Sequence, residues 1–188
     1  MEKMMASCRW LLACAFLLFM VGCAGTIQRD AGAKADPLKG ATYKSVQVVM
    51  TDAAHGLKAD NPQFNPDDLG ESVRKRMSDA RMVRADGPYS VEVRVENFRV
   101  RHFVTAVVLS ALAGSDSIDA YVRVLDDGGR QVHGYKVNAS YSLGGMAGSI
   151  DSMRMGWLYD KFSELAVAEL QGATSDTNVA PAPSPSKP

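Results

Sequence analysis

The strongest constraint on the fold is an alternation of apolar and polar residues over residues 89–101. From Tyr89 to Val95 the odd-numbered residues are apolar and the even-numbered ones are polar. A period of two predicts a β-strand with one buried face. At Phe98 and Val100 the apolar residues become even-numbered, and one extra residue at Asn97 explains the change as a β-bulge. The chain is therefore expected to build a sheet that is covered on one face.

Three further strands are predicted from β-branched, partly alternating segments. They span residues 44–50, 117–125 and 131–142. Between the last two lies Asp-Asp-Gly-Gly-Arg at 126–130, whose glycines and aspartates are typical of a hairpin turn. These segments predict a sheet of four strands.

Two helices are predicted from capping signals and a 3.6-residue apolar period. The first begins at Asn65, a good N-cap, followed by Pro66 at the first helical position. Its apolar stripe consists of Leu69, Val73, Met77 and Ala80. The second begins at about Ser149 or Ser152. Its stripe consists of Met155, Leu158, Phe162, Leu165, Ala166 and Glu169/Leu170.

The order β-α-β-β-β-α predicts an α+β fold, with a mixed four-stranded sheet and two helices packed on one face. The first β-α-β crossover is expected to be right-handed, with its two strands parallel. The uncovered sheet face carries charged residues that can meet water or a polar partner: Glu92, Arg94, Glu96 and Arg123.

The first 22 residues have the pattern of a signal peptide. Lys3 and Arg9 precede residues 10–21, an uncharged apolar run that is shorter than the about 20 residues a spanning helix needs. The run ends at Met20-Val21-Gly22-Cys23, which resembles the bacterial lipobox. This resemblance implies that Cys23 carries diacylglyceryl and acyl (palmitate-type) chains and becomes the mature N-terminus. The alternative is a plain secretory signal peptide in which Cys23 is incidental.

The cysteine content agrees with a lipid anchor. Cys8 and Cys14 leave with the signal peptide, so Cys23 remains without a partner for a disulfide. In lipoproteins of this kind an Asp after the cysteine commonly means retention in the inner membrane. Ala24 therefore implies the outer membrane, with the protein on its periplasmic face.

Composition divides the chain into four parts. Residues 1–22 are the lipoprotein signal peptide, 23–43 a flexible tether, 44–171 the periplasmic α+β domain and 172–188 a disordered Pro-rich tail. Lys plus Arg and Asp plus Glu are both 21, and this balance argues against nucleic acid as a partner.

No catalytic, cofactor-binding or metal-binding residue is predicted. His55, His102 and His133 are the only histidines, and they lack metal-ligand spacing. There is no G-x-S-x-G motif, and the glycines at 144–148 lack the Lys-Ser/Thr of a phosphate-binding loop. The sequence therefore predicts a protein that is not an enzyme and holds no cofactor.

An uncharged segment at 103–113 lies between two predicted strands. It is too short to span a bilayer as a helix. One interpretation is a buried strand extension or short core helix. The other is an exposed interface with another subunit, a partner or the lipid surface. The candidate interface residues are Phe103, Val104, Val107, Val108, Leu109 and Leu112.

The domain also carries a series of motifs in a recognisable order, namely Phe98, residues 111–114, residues 122–126, Gly128-Gly129 and Gly144-Gly145. Together with the lipobox, this order resembles small bacterial lipoproteins of the domain of unknown function 4410 family, over residues 44–170. The strand–helix order is also similar to that of periplasmic domains of lipoproteins in curli secretion and exopolysaccharide export, which form oligomeric rings.

These features predict an outer-membrane-anchored periplasmic lipoprotein that serves as a non-enzymatic structural or accessory subunit of a cell-envelope assembly or export system. Its expected partners are the membrane, through the N-terminal lipid, and a second copy or an envelope protein, through residues 103–113 and the sheet edges. The alternative is a monomeric periplasmic module that binds a small ligand, peptide or glycan. Trp157, the only tryptophan after Cys23, offers little for stacking on sugars.

Overall fold

The computed structural model describes residues 23–30, 38–100, 115–141 and 151–172. Within them lie the strands β1 (Cys23–Arg29), β2 (Tyr43–Met50), β3 (Tyr89–Arg99), β4 (Asp116–Asp126) and β5 (Gln131–Tyr141). The helices are α1 (Asp52–Leu57), α2 (Pro66–Asp79) and α3 (Asp151–Leu170). The predicted signal peptide, the 103–113 segment and the chain beyond Gly172 lie outside the described residues.

The strands form one mixed sheet in the order β1-β5-β4-β3-β2. β2 and β3 are parallel, as the crossover through α2 predicts, and the other three pairs are antiparallel. The α+β class and the mixed sheet are thus confirmed. The predicted numbers of strands and helices are wrong, because β1 and α1 are additional.

The largest correction concerns the predicted tether at 23–43, which is not flexible at its start. β1 pairs with β5 over its whole length, from Cys23 opposite Tyr141 to Arg29 opposite Tyr135. Its place is secured by Ile27, which is fully buried in the core. The segment has few strand-forming residues of its own, so pairing and packing determine its conformation.

The other addition is the short helix α1, which begins directly after β2. The Thr51 hydroxyl caps it by accepting a hydrogen bond from the Ala54 amide at 3.2 Å. Ala54 is its one buried residue. A helix this short carries too little apolar periodicity to be recognised from sequence.

The bulge predicted from the parity change is confirmed, although it lies one residue before Asn97, the position expected from sequence. Val95 lies opposite Ala120 and Asn97 opposite Asp119, so Glu96 is the extra residue of β3. Val95 and Phe98 are consequently both buried on the same face, although their numbers differ in parity. The bulge keeps the apolar side of β3 towards the helices along the whole strand.

The core lies between α2 and α3 and the sheet face that they cover. Both predicted stripes point into it, since Leu69, Val73 and Met77 of α2 and Leu158 and Phe162 of α3 are fully buried. The remaining large core side chains come from the strands and the α1–α2 loop: Ile27, Tyr43, Phe64, Phe98, Ile118, Tyr135 and Tyr141.

The predicted N-cap of α2 and the predicted β4–β5 turn both form hydrogen bonds of the expected kind. The Asn65 side chain caps α2 by accepting from the Asp67 amide at 3.0 Å. In the β4–β5 hairpin the Asp126 carboxylate accepts from the amides of Gly128, at 3.0 Å, and Arg130, at 2.9 Å. These hydrogen bonds, that from the Arg130 amide foremost, lower the pKa of Asp126. Asp126 therefore holds the turn together.

The two ends of the sheet differ in the residues that they carry. At the Cys23 end, the register places Cys23, Tyr141 and Asp116 side by side, and Arg99 lies opposite the next residue of β4, Ser117. The hairpin end carries the 126–130 turn, together with Tyr43 and Tyr89. No helix within the described ranges is long and apolar enough to cross a membrane.

Replacing Arg81 by glycine is expected to raise the free energy of unfolding by about 1 kcal/mol. Arg81 follows α2 with a φ of 58°, a left-handed conformation that glycine adopts without a Cβ clash. Urea denaturation of Arg81→Gly measures the change. Arg76→Gly, in the exposed last turn of α2, is the control and should lose about 1 kcal/mol instead. A loss in Arg81→Gly would contradict the left-handed conformation.

Candidate functional site

The sheet face that the helices leave uncovered, or outer face, is the candidate binding surface. Alternation along the strands directs every second side chain to it. Most of these side chains are polar or charged: Thr26, Gln28, Glu92, Arg94, Glu96, Asp119, Tyr121, Arg123, Lys136 and Asn138. The four charged residues predicted for this face, Glu92, Arg94, Glu96 and Arg123, are indeed half-buried or exposed.

Arg123 is the centre of a hydrogen-bonded network near the hairpin end. Its Nη1 donates to Glu92 Oε1 and its Nε donates to Gln131 Oε1, both at 2.9 Å. Gln131 Nε2 then donates to the Tyr121 hydroxyl at 3.0 Å, and that hydroxyl donates to Asp30. Partial burial first, and the hydrogen bond to Asp30 second, raise the pKa of Tyr121. The network connects β3, β4 and β5 with Asp30, the residue that follows β1.

Gly134 makes this arrangement possible. A Cβ at Gly134 would lie 2.3 Å from the Tyr121 hydroxyl oxygen and 2.4 Å from Gln131 Nε2. The two side chains therefore cross over bare β5 backbone. Neither Tyr121 nor Gln131 was singled out from sequence, although the odd parity of β4 places Tyr121 beside Arg123.

A second polar group lies closer to the Cys23 end. Lys136 Nζ donates to Glu96 Oε2 at 2.8 Å, and Asn138 Nδ2 donates to Asp119 Oδ1 at 2.5 Å. These residues line a shallow groove of about 200 Å³ that also borders β1. Its volume is below the about 300 Å³ at which small-molecule pockets begin. The groove suits a polar chain or a protein surface better than an enclosed ligand.

The outer face therefore offers charge pairs more than a reactive group. Arg123 pairs with Glu92, and Lys136 pairs with Glu96, so opposite charges are already side by side. A partner can exchange these hydrogen bonds for its own at small electrostatic cost, because exposed ion pairs contribute little stability.

The histidines do not form a common site in the described residues. His55 is exposed on α1, whereas His133 is buried on β5, with Nε2 3.8 Å from Glu169 Oε1. His102 lies outside the described residues. Among the parts of the chain that the structure describes, no three His, Cys, Asp or Glu residues are grouped to hold a metal ion. The sequence-based expectation of no catalytic or metal residue remains a prediction.

Two buried ion pairs fix α3 to the sheet, and neither was predicted. Near the Cys23 end, Arg154 Nε and Nη2 donate to the two carboxylate oxygens of Asp116 at 3.0 and 3.2 Å. Near the hairpin end, Arg29 makes the same two-pronged contact with Glu169 at 2.5 and 3.0 Å. The charged side chains are at most 8% exposed. These pairs hold helix and sheet in register and are part of the core.

The predicted site residues fall in two places. Cys23 is the first residue of β1, with its Cα opposite that of Tyr141. The six candidate interface residues, from Phe103 to Leu112, lie outside the described residues. The described residues on either side of them, Val100 and Ser115, follow β3 and precede β4 at the Cys23 end.

Comparison with known proteins gives only distant similarity. No family model matches the chain, and no curated protein matches it. The chain is similar to a PelC dodecamer from Paraburkholderia phytofirmans, at 14% identity and a TM-score of 0.40, over 81% of this chain and 100% of that one. A variant of that dodecamer has the same identity and a TM-score of 0.45, over 79% and 98%.

The chain is also similar to a minor lipoprotein from Acinetobacter baumannii. The identity is 10% and the TM-score 0.42, over 70% of this chain and 92% of that one. Sequence identities and TM-scores this low assign no function to this chain.

Proposed function

We propose that the chain is an outer-membrane lipoprotein, anchored through acylated Cys23 and facing the periplasm, that serves as a non-enzymatic structural or accessory subunit of a cell-envelope assembly or export system. The observation that carries the proposal is the position of Cys23. Cys23, directly before which the lipobox-like sequence predicts cleavage, lies in the edge strand β1 with its Cα opposite that of Tyr141.

The lipobox-like sequence Met20-Val21-Gly22-Cys23 supports cleavage directly before Cys23. Cleavage after Cys23 or within β1 would shorten the edge strand. The site also suits the chemistry, since a thioether to lipid removes the one thiol that remains after residue 22. A multiply acylated cysteine then forms an essentially permanent anchor.

The subunit role is supported by the surface of the domain. β1 and β2 are the two edges of the sheet, and edge strands can pair with another chain. The outer face adds alternating opposite charges, which can match those of a second copy. The resemblance to the domain of unknown function 4410 family and the candidate interface at 103–113 belong to this proposal.

A monomeric periplasmic binding module is the second candidate function. The groove beside Lys136 and Asn138 favours it, because this groove crosses β1, β5 and β4 and is open to solvent. A peptide or glycan with several hydrogen-bonding groups could lie along it. This role needs neither a second copy nor the sheet edges, and the oligomeric state therefore separates the two proposals.

The test is the mass of the detergent-extracted lipidated protein, compared with a soluble version that begins at Ala24. We expect a discrete oligomer in both preparations. An oligomer in the lipidated form alone also supports the subunit role, because the membrane concentrates weakly interacting copies. Monomers in both would contradict self-assembly and favour the binding module. Gel filtration with light scattering gives the masses.

A further inference from the structure

We infer that the domain stands directly on the membrane, with the Cys23 end of its sheet against the phospholipid headgroups and the hairpin end pointing away. This inference rests on the proposed function, because it requires that Cys23 carry the lipid. It replaces the tethered domain expected from the sequence with a fixed orientation.

The lipid on Cys23 is joined directly to the sheet. The diacylglyceryl group is bonded to the cysteine sulfur, so the backbone of a lipidated Cys23 lies at headgroup level. Cys23 is opposite Tyr141 in the β1–β5 pair, and neighbouring strands are about 4.8 Å apart. The lipid is therefore attached to an ordered strand, with no flexible residues in between.

β1 is held firmly to the rest of the domain. A side chain at Gly25 would collide with α3, since its Cβ would lie 2.2 Å from Leu165 Cδ1. Ile27 is buried, and Arg29 pairs with Glu169 of α3 at 2.5 Å. β1 is thus fixed by its ladder, by close packing and by an ion pair. Lifting it away to make a tether would expose all three contacts.

Several strands and one loop reach the Cys23 end of the sheet. Asp116 is also opposite Tyr141, and Arg99 is opposite Ser117, so β3, β4 and β5 reach the same level as the lipidated residue. The Asn61 side chain accepts from the Val100 amide at 2.7 Å, which brings the loop after α1 to this end as well. The described strand ends and this loop therefore lie at the level of the lipidated residue, next to the headgroups.

The hairpin end of the sheet lies far from the Cys23 end. β3 has 11 residues, so the hairpin end is about 35 Å from the Cys23 end. The Arg29–Glu169 pair lies towards it, and Gly172 follows Glu169 by three residues. The chain therefore leaves α3 away from the membrane.

Two exposed alanines in turns provide matched probes of this orientation. Ala59 lies in the turn before Asn61, at the Cys23 end. Ala85 lies in the turn between Arg84 and Gly87, at the hairpin end, where the Arg84 amide donates to the Tyr43 carbonyl. Lipidation uses the thiol of Cys23, so Ala59→Cys and Ala85→Cys each give the lipidated protein one site for a fluorophore.

The experiment places each labelled, full-length lipidated protein in phosphatidylcholine vesicles that contain a headgroup nitroxide quencher. We expect loss of fluorescence for the Ala59→Cys probe and none for the Ala85→Cys probe. Inserting ten Gly/Ser residues between Cys23 and Ala24 adds about 18 Å of mean reach and should restore the Ala59→Cys fluorescence. Equal fluorescence of both probes, with or without the insertion, would overturn the orientation.

Intact mass of each preparation separates the two possible failures. Acylated protein whose Ala59→Cys probe is unquenched overturns the orientation and leaves the anchor standing. Protein without acyl groups on Cys23 overturns the anchor, and the orientation with it.

Discussion

Replacing Arg154 by alanine is expected to lower the free energy of unfolding by about 3–5 kcal/mol. Arg154 is the largest fully buried side chain of the described residues, and its guanidinium makes two hydrogen bonds to Asp116. Its removal leaves the Asp116 carboxylate, itself 1% exposed, without this cation. Domains are stable by about 5–15 kcal/mol, so the variant should lose a large share of its stability. Urea denaturation followed by circular dichroism measures it.

Two further variants show that the loss comes from the buried charge. Lys75→Ala removes an exposed ion pair of α2, with Asp79, and should leave the unfolding curve unchanged. Combining Asp116→Asn with Arg154→Met removes both charges and should recover part of the loss, because apolar or neutral replacements tolerate burial. An Arg154→Ala protein as stable as the Lys75→Ala control would contradict the burial of this pair.

Replacing Gly25 by valine is expected to cost about 1–3 kcal/mol of unfolding free energy through overpacking. The sign of the change in unfolding free energy is informative. Valine forms strands better than glycine, so it would stabilise an edge strand that had free space for its side chain. At Gly25 the first side-chain atom would already lie 2.2 Å from Leu165 Cδ1 and 2.8 Å from the Asn138 carbonyl oxygen. A flexible tether at this position would show no effect.

The adjacent residue offers a matched control. Thr26 is exposed and points to the outer face, so Thr26→Val should leave stability unchanged or raise it slightly. Adding Leu165→Ala to Gly25→Val removes one of the two clashes and should restore part of the loss beyond the sum of the single variants. Thermal unfolding of the wild type, Gly25→Val, Leu165→Ala, their combination and Thr26→Val measures these effects. A Gly25→Val protein as stable as Thr26→Val would contradict the packing of β1 under α3.

The parts of the fold that were predicted from sequence have local signals. The parity change of β3 indicates the bulge, because side chains alternate strictly in a strand and only an extra residue keeps Phe98 in the core. Asn65 and Pro66 mark the start of α2 because their backbone preferences fit the cap and the first turn. The Asp126 turn is predicted for the same kind of reason.

The parts that were missed depend on contacts between distant segments. β1 has a single large apolar residue, Ile27, and includes Gly25, which favours a loop in isolation. Its strand conformation depends on pairing with β5 and on the close approach of α3, and neither is visible in seven residues. The signal-peptide pattern marks Cys23 as a chain end, and this also favours a flexible interpretation of residues 24–43.

The buried ion pairs were missed because charged residues are usually assigned to the surface. Glu169 stands beside Leu170 in the apolar stripe of α3, and its partner Arg29 is 140 residues away. Arg154 precedes Met155 in the same way and pairs with Asp116 across 38 residues. Charges on the apolar side of a helix are the signal that could have indicated such pairs.

The candidate site was predicted in part for a similar reason. The alternation of β3 identifies Glu92, Arg94 and Glu96 as residues of one face, since parity within a strand is enough. Tyr121 shares the odd parity of Arg123 in β4, whereas Gln131 and Lys136 join that face only through the register of β5 on β4. Register depends on the hairpin geometry, and sequence alone left it open.

The intact mass of the protein extracted from membranes is the most direct test of the lipid anchor at Cys23. We expect a chain that begins at Cys23 and carries diacylglyceryl and acyl groups, recovered in the outer-membrane fraction. Cys23→Ser, which cannot form the thioether, should leave that fraction and lack the lipid mass. A mature chain that begins at another residue, or one with an unmodified Cys23, would contradict the lipid anchor and the orientation derived from it.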